Sequence, residues 1–546
     1  MTPNLRRRSL LKLAGAGALA TVAGPALSAC GDGTGGDVGN AGKSLVPWPT
    51  YLPFAGPQPD SPGDESGVQP LYLNYPQQVV KSVKEAVGDG SEVTAMVITY
   101  GAPPRPVESN RLWQAINSAL NVNLKVVVVP DAEYSQKMTT LMASGDDLPD
   151  IIMFSQLALP RSHEFIQSRC ADLSELVGGD AVNDFPNLAN IPTRAWQAMG
   201  RIDGRIFGVP LERPAPGNSL FVNRTALNQA GVPVDWDTEG FVTGLKQVTE
   251  GRRWGIGGSK PLFGGLGAVA YHAGSLGAPN GWTLDGGAFV SAFRTPQFEE
   301  ALGVMRRLAE SGAYHPDSLS ISSTDLQTFW HNGTVVSVTD GFGSVKLATL
   351  TSVDNRFELD LGRPYGPDPA PWRGSGYFGH AAFKKAGTDR IKLLPRICDY
   401  LSAPFGTAEY ELVNYGVEGV HYTKDGGGIR TTDLYRVENS DSLAVKFIAV
   451  APAVLYLPEY PDAARTVYEW EKAVLPKAVA DPGLGLRSAT QTSKGAELQR
   501  IVGDNISAVV FGRKPASAWK DAVAQWREAG GDQVAEELAA EYAAAR

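Results

Sequence analysis

Between residues 93 and 154 the chain alternates short apolar runs with stretches of helical periodicity, and this alternation restricts the possible folds more than any other feature. Residues 93–99 read as a strand and 107–121 as a helix, with Leu112, Ile116 and Leu120 four apart on one face. Residues 124–129 form an apolar run of the kind found in buried strands of parallel sheets. A second helix over 132–144 carries Tyr134, Met138, Leu141 and Met142, and a third strand covers 150–154. Parallel strands need a long crossover between them, and a helix packed in the right-handed sense supplies it. A β-α-β-α-β run therefore implies an α/β class with a doubly wound sheet flanked by helices. Ligands of such sheets sit beyond the carboxyl ends of the strands, which directs attention to Phe154, Ser155 and Gln156.

A chain of 546 residues exceeds what one core supports, so further domains are expected. A second α/β unit follows over 220–340, with helices at 239–249 and 297–311. The first residues are an address rather than structure. Arg6-Arg7-Arg8-Ser9-Leu10-Leu11-Lys12 resembles a twin-arginine export motif, an Ala/Gly-rich apolar stretch follows, and Leu27-Ser28-Ala29-Cys30 resembles a lipobox. Cleavage there would make Cys30 the acylated N-terminus and remove Arg6, Arg7, Arg8 and Lys12, taking the formal net charge from −9 to −13. So acidic a protein is unsuited to sequence-independent nucleic-acid binding, which works by neutralising phosphates. No later stretch is long and apolar enough to span a bilayer, which leaves the lipid as the expected membrane anchor. Cys170 and Cys398 remain; Cys398 sits among Ile391, Leu394, Ile397 and Leu401 on an apolar helix, and no bridge between the two is expected.

The segment from Asp203 to Gly231 has a turn, an apolar run, a connector stiffened by Pro210, Pro214 and Pro216, a second run, and a helix that stops at Gly231. "GVP" followed by "LFVNRTALNQAGV" resembles the first lobe crossing of extracellular solute-binding proteins, family 1, the ligand-capturing subunits of ABC importers. "YSQKMTTLMASGDDLPDIIMF" resembles the family's "ASG…PDI" segment, and "FWHNGTVVSVTDGFGS" its strand entering the cleft. "NYGVEGVHYT" (414–423) and the run 506–542 are similar to the lipoprotein branch that takes up complex oligosaccharides. The resemblance covers 93–542. It implies a two-lobed, periplasmic-binding-protein-like fold joined by several hinge crossings. The expected division is a signal peptide (1–29), a lipidated flexible tether (30–44), an extended arm (45–90), a first lobe (91–208 and 365–412) and a second lobe (209–364 and 413–546). Its implied partners are a carbohydrate and membrane permease subunits, with the protein itself a monomer.

No cofactor, metal or catalytic centre is expected. His163-Glu164 starts an HExxH-like run that fails at Gln167, the six histidines keep no metal-ligand spacing, and Ser375 lacks the glycine at 373 that a nucleophile elbow needs. A sugar site asks for aromatic faces and bidentate polar groups. The topology implied by the resemblance brings Gln156, Glu212, Arg213, Asn218, Asp340, Phe342, Trp372, Tyr377, Glu418, His421 and Tyr422 to the cleft. About half of these are expected to touch ligand, since polar anchors are a minority in pockets. Core packing for Tyr377, a backbone tie for Glu418 and a capping role for Trp372 stay open. Two other classes stay open as well: a surface glycan-active enzyme, and an adhesion or signalling module.

Overall fold

The computed structural model describes residues 38–100, 103–145, 147–155, 159–344, 350, 353, 356–439 and 443–544. Cys30, the export motif and Gln156 lie outside the described residues. In the first sheet β1 (Glu92–Thr99) pairs in parallel with β2 (Asn123–Pro130) and with β3 (Ile151–Ser155). Helix α1 (Arg111–Leu120) crosses from β1 to β2 and α2 (Asp131–Ser144) from β2 to β3. Asn110 caps α1 by accepting from the Trp113 amide, and Leu112, Trp113, Ile116 and Leu120 bury one face. Gly145 closes α2 in a left-handed conformation (φ 65°), which accounts for the glycine of the Ala-Ser-Gly motif. β2 differs from its sequence reading. It is an edge strand with alternating burial, and Val127 is 50% exposed, because one of its faces is left largely uncovered.

Segment β4 (Val209–Glu212) and segment β5 (Asn218–Asn223) flank the first crossing. A two-stranded hairpin, β6 (Trp282–Asp285) with β7 (Ala288–Ser291), stands apart. The second sheet has the order β8 (Ser337–Gly341), β5, β9 (Leu359–Gly362), and both its pairings are antiparallel. Leu220 and Val222 of β5 enter one core and Phe221 another, as the two-residue period of a strand requires. β10 (Tyr377–Phe383) returns to the first sheet and completes the order β2-β1-β3-β10-β4. β11 (Tyr422–Asp425) and β12 (Gly428–Thr431) form a final hairpin. The class is mixed α/β. Among the described residues no helix is long and apolar enough to cross a membrane.

Residues 45–90 run across this body with little regular structure. Their amides reach distant carbonyls: Val46 to Gly204 (2.9 Å), Leu52 to Ala189 (2.8 Å), Tyr72 to Leu455 (2.9 Å) and Tyr75 to Gly427 (2.7 Å). Two expected boundaries are corrected. The tether cannot extend to 44, because Val38 is 6% exposed in the first core and Asn40 is held by Glu541, Arg201 and Gly204. The second lobe cannot take all of 413–546, because Val413 and residues 443–449 pack into the first core, with the Cys398 thiol 3.9 Å from the Ile448 carbonyl. Nor do residues 442–457 form the long helix that their apolar content suggests. Pro452 interrupts the segment and Pro458 follows it; its described residues include a short turn, Val445–Phe447. Cys170 and Cys398 are both free and buried, and burial raises both thiols, that of Cys170 to about 12.

Candidate functional site

Tyr100 follows the last residue of β1 and Asp131 opens α2 directly after β2, so both stand at carboxyl ends of neighbouring parallel strands. The Tyr100 hydroxyl donates to the Asp131 carboxylate. Burial raises both groups, and the neighbouring Asp131 charge raises the phenol further. Tyr100 nevertheless keeps 41% of its surface exposed, unusual for a large ring beside a core. Its ring meets Phe378 edge-on at 6.3 Å and Phe447 at 6.2 Å. The Arg213 guanidinium lies 4.7 Å from the Phe378 ring centre and 6.0 Å from that of Phe447, and donates to the Glu212 carbonyl at 3.0 Å. Asp340, near the end of β8 in the other sheet, is close enough to raise the Tyr100 hydroxyl, while Arg213 lowers it. Two sheets thus present an exposed aromatic surface ringed by one guanidinium and two carboxylates.

Of the residues expected at a cleft, Arg213 and Asp340 are brought together here. The others are placed as follows. Glu212 is buried, accepting from Arg194 at 2.6 Å and from the Ala453 amide at 3.1 Å. Burial raises its carboxyl and Arg194 opposes the rise, so both oxygens already serve as a tie across the crossing. Phe342 is not on a wall; it is core, stacked on Trp470 at 5.6 Å and 15°. Asn218 donates to the Gly267 carbonyl (3.0 Å) and the Trp372 indole to the Ala278 carbonyl (2.9 Å). Both line a void of about 20 Å3, room for a water and not for a sugar ring. Tyr377 is half-buried, its hydroxyl 3.4 Å from His380 Nδ1 and raised by burial to about 12.

Glu418, His421 and Tyr422 gather elsewhere, beside an aromatic cluster of Tyr75, Phe405, Tyr415 and Tyr456. Glu418 is exposed there. His421 Nδ1 accepts from the Val417 amide at 3.0 Å and its Nε2 faces Glu438 at 3.4 Å, while the Tyr422 hydroxyl donates to Glu411. His421 and Tyr422 are buried fixtures of this hairpin rather than a ligand surface. Reading the sequence missed Tyr100, Asp131, Phe378 and Phe447. The strand-end rule applied to 93–99 and 124–129, as it was to 150–154, finds the first two. Nothing local marks Phe378 or Phe447.

No family model matches the sequence. The polygalacturonan/rhamnogalacturonan-binding protein YtcQ of Bacillus subtilis (strain 168) is 25% identical over 459 residues, covering 81% of this chain and 89% of that protein. Lipoprotein LipO of the same organism is 23% identical over 468 residues, covering 80% and 89%. Among solved structures, alginate-binding protein AlgQ2 superposes with a TM-score of 0.62 at 16% identity, over 84% of this chain and 99% of its own. The fold is that of a solute-binding protein. The N-glycan transport solute-binding protein NgtS of Streptococcus pneumoniae, in complex with Man5GlcNAc, agrees at a TM-score of 0.58 and 17% identity, over 83% of this chain and 98% of its own. These relatives and neighbours are in keeping with the resemblance to extracellular solute-binding protein family 1, and YtcQ, AlgQ2 and NgtS are named as binding proteins.

Proposed function

We propose that the protein is the receptor of an ABC importer, capturing an oligosaccharide in a cleft between two lobes and releasing it unchanged to permease subunits. It acts as a monomer, held at the outer face of the cell membrane by a lipid on Cys30 after export along the twin-arginine route. The first lobe comprises 91–208, 365–412 and 443–449, and the second 209–364 with the rest of 413–546. The names of the relatives support a carbohydrate: polygalacturonan and rhamnogalacturonan for YtcQ, kestose for the S. pneumoniae protein FusA. The observation that carries the reading is the exposed Tyr100 ring set among Arg213, Asp131 and Asp340 where the two sheets face each other. A pyranose offers an apolar face to such a ring and hydroxyls to the charged rim, where bidentate hydrogen bonds are the strong ones.

The test is a thermal-shift screen of plant, fungal and bacterial oligosaccharides with the mature protein, followed by calorimetry on the hits. Tyr100→Ala and Arg213→Ala should each weaken binding by about tenfold. The sugar should be recovered intact. Cleavage at more than one turnover per protein would make the protein an enzyme, and a screen without a hit would favour the adhesion module.

A further inference from the structure

A chamber of about 160 Å3 opens between helix α3 (Ser162–Arg169) and the elements of the second core: the β6–β7 hairpin, the helix Ala489–Val510 and the helix Asp532–Ala544. An engineered cavity of about 150 Å3 takes one benzene ring, so this volume suits a single six-membered ring. Its apolar side is Trp282 with Leu486, Val534 and Leu538. The Trp282 indole is half-buried and held by Trp526 at 6.0 Å and Phe289 at 6.1 Å.

The opposite side is polar, and its hydrogen bonds fix the protonation of every group. Arg487 can only donate, and it lies 3.0 Å from His163 Nε2, so that nitrogen accepts. His163 Nδ1 then carries the proton and donates to the Thr492 hydroxyl at 3.2 Å. Thr492 in turn donates to the Ser488 carbonyl at 3.0 Å, which leaves its oxygen one lone pair directed elsewhere. Burial, and then the Arg487 charge, hold the imidazole well below its ordinary value, consistent with this neutral form. Two further N–H groups of Arg487 donate to the carbonyls of Arg201 (2.7 Å) and Met199 (2.6 Å), and Glu537 is engaged by Ser488 and Thr490. No described lining residue presents a charge to the chamber. The side-chain amide of Gln491 and the indole N–H of Trp282 hold no partner among the described residues, which leaves three N–H donors and the Gln491 carbonyl oxygen beside the Thr492 lone pair. Arg487 also links the chamber to the cleft region: it lies near Tyr377, and the Gly376 carbonyl accepts from the Arg213 amide at 3.0 Å.

We propose that this chamber is a subsite for one neutral hexopyranose ring at the end of the bound sugar chain, with its apolar face on Trp282 and its hydroxyls on Gln491 and Thr492. The inference rests on the carbohydrate reading above. An anionic ring is disfavoured, because its carboxylate would lose water without gaining a cationic partner.

Ligand-observed NMR with the mature protein tests it, using the methyl pyranosides of glucose, galactose and mannose, with galacturonate as the charged probe. At least one neutral glycoside should bind, and more tightly than galacturonate. Trp282→Ala and Gln491→Ala should each weaken it by about tenfold, and Trp282→Phe, which keeps a ring, should retain most of the binding. Gln491 is exposed and supports nothing else, so its variant reports on binding even if Trp282→Ala fails to fold. The proposal is overturned if no neutral glycoside binds, if galacturonate binds better, or if both alanine variants bind as wild type does. Oligosaccharide binding that survives any of these outcomes leaves the receptor reading in place, whereas failure of every sugar with the wild-type protein removes both.

Discussion

Asp150, the aspartate of the Pro-Asp-Ile motif, is 5% exposed at the head of β3. Its carboxylate accepts from the Thr94 amide at 2.9 Å and from Arg390 at 2.7 Å, with Lys384 at 3.3 Å. Burial raises this carboxyl, but the hydrogen bonds and the two cations outweigh burial and hold it below the usual 3.8. A carboxyl depressed in the folded state contributes stability that is complete above its unfolded value and is lost as pH falls through its folded value. Asp150→Asn should therefore lower the urea midpoint at pH 7 and differ less from wild type at about pH 3. A difference that stayed constant with pH would mean that the charge contributes nothing. The motif is legible as sequence because its residues are contiguous, although the partners of Asp150 (Thr94, Arg390 and Lys384) are far along the chain. Phe342, expected on the cleft wall, has no such contiguous motif to mark it. It follows a strand that does approach the cleft, but its side chain turns onto Trp470, 128 positions away in the chain, and no nearby residue announces that partner.

The N-terminal arm shows what an element without periodicity can do. Its backbone satisfies its polar groups partly on itself, as where Ser61 and Leu71 pair, and partly on other segments, so much of it keeps its place only while those segments are folded. Asn40 illustrates the tie: Glu541, on the final helix, accepts from the Asn40 side chain at 2.9 Å and from the Ala41 amide at 3.1 Å. Glu541→Ala leaves those donors without an acceptor, at a cost of about 1–3 kcal/mol for each that stays dry. Hydrogen exchange should speed up over residues 38–44 and hardly change in β1. Unchanged exchange at 38–44 would show that Val38 alone anchors the segment. Residues 443–457 make the same point, since apolar content without caps and with Pro452 inside it describes buried coil as well as it describes helix.

For the whole molecule, the crossings near 210–217 and 362–374 are thin connections between two sheet systems with separate cores. If the sheets move as lobes, a sugar touching Tyr100 on one side and Asp340 on the other favours the closed arrangement, because only that arrangement makes both sets of contacts. Small-angle scattering of the mature protein should then show a smaller radius of gyration with the bound oligosaccharide. The ligand should also add about 2.7 kcal/mol of stability at a hundredfold excess over Kd. A radius unchanged at saturating ligand would mean that the cleft is preformed.

The sequence by itself determined the class of the first sheet, its crossover helices, the helix stop at Gly231 and the connector at Pro210–Pro216, because each is written in residues close to one another in the chain. It also pointed to Arg213 and Asp340, through their positions at the ends of strands and crossings. Only the tertiary structure decided which candidates are free to meet a ligand. Glu212, His421 and Tyr422 carry the right chemistry for a sugar, but Arg194, Glu438 and Glu411 already occupy it. Tyr100 and Trp282 remain available because nothing packs over their outer faces, and exposure is a property of everything around a side chain rather than of the side chain.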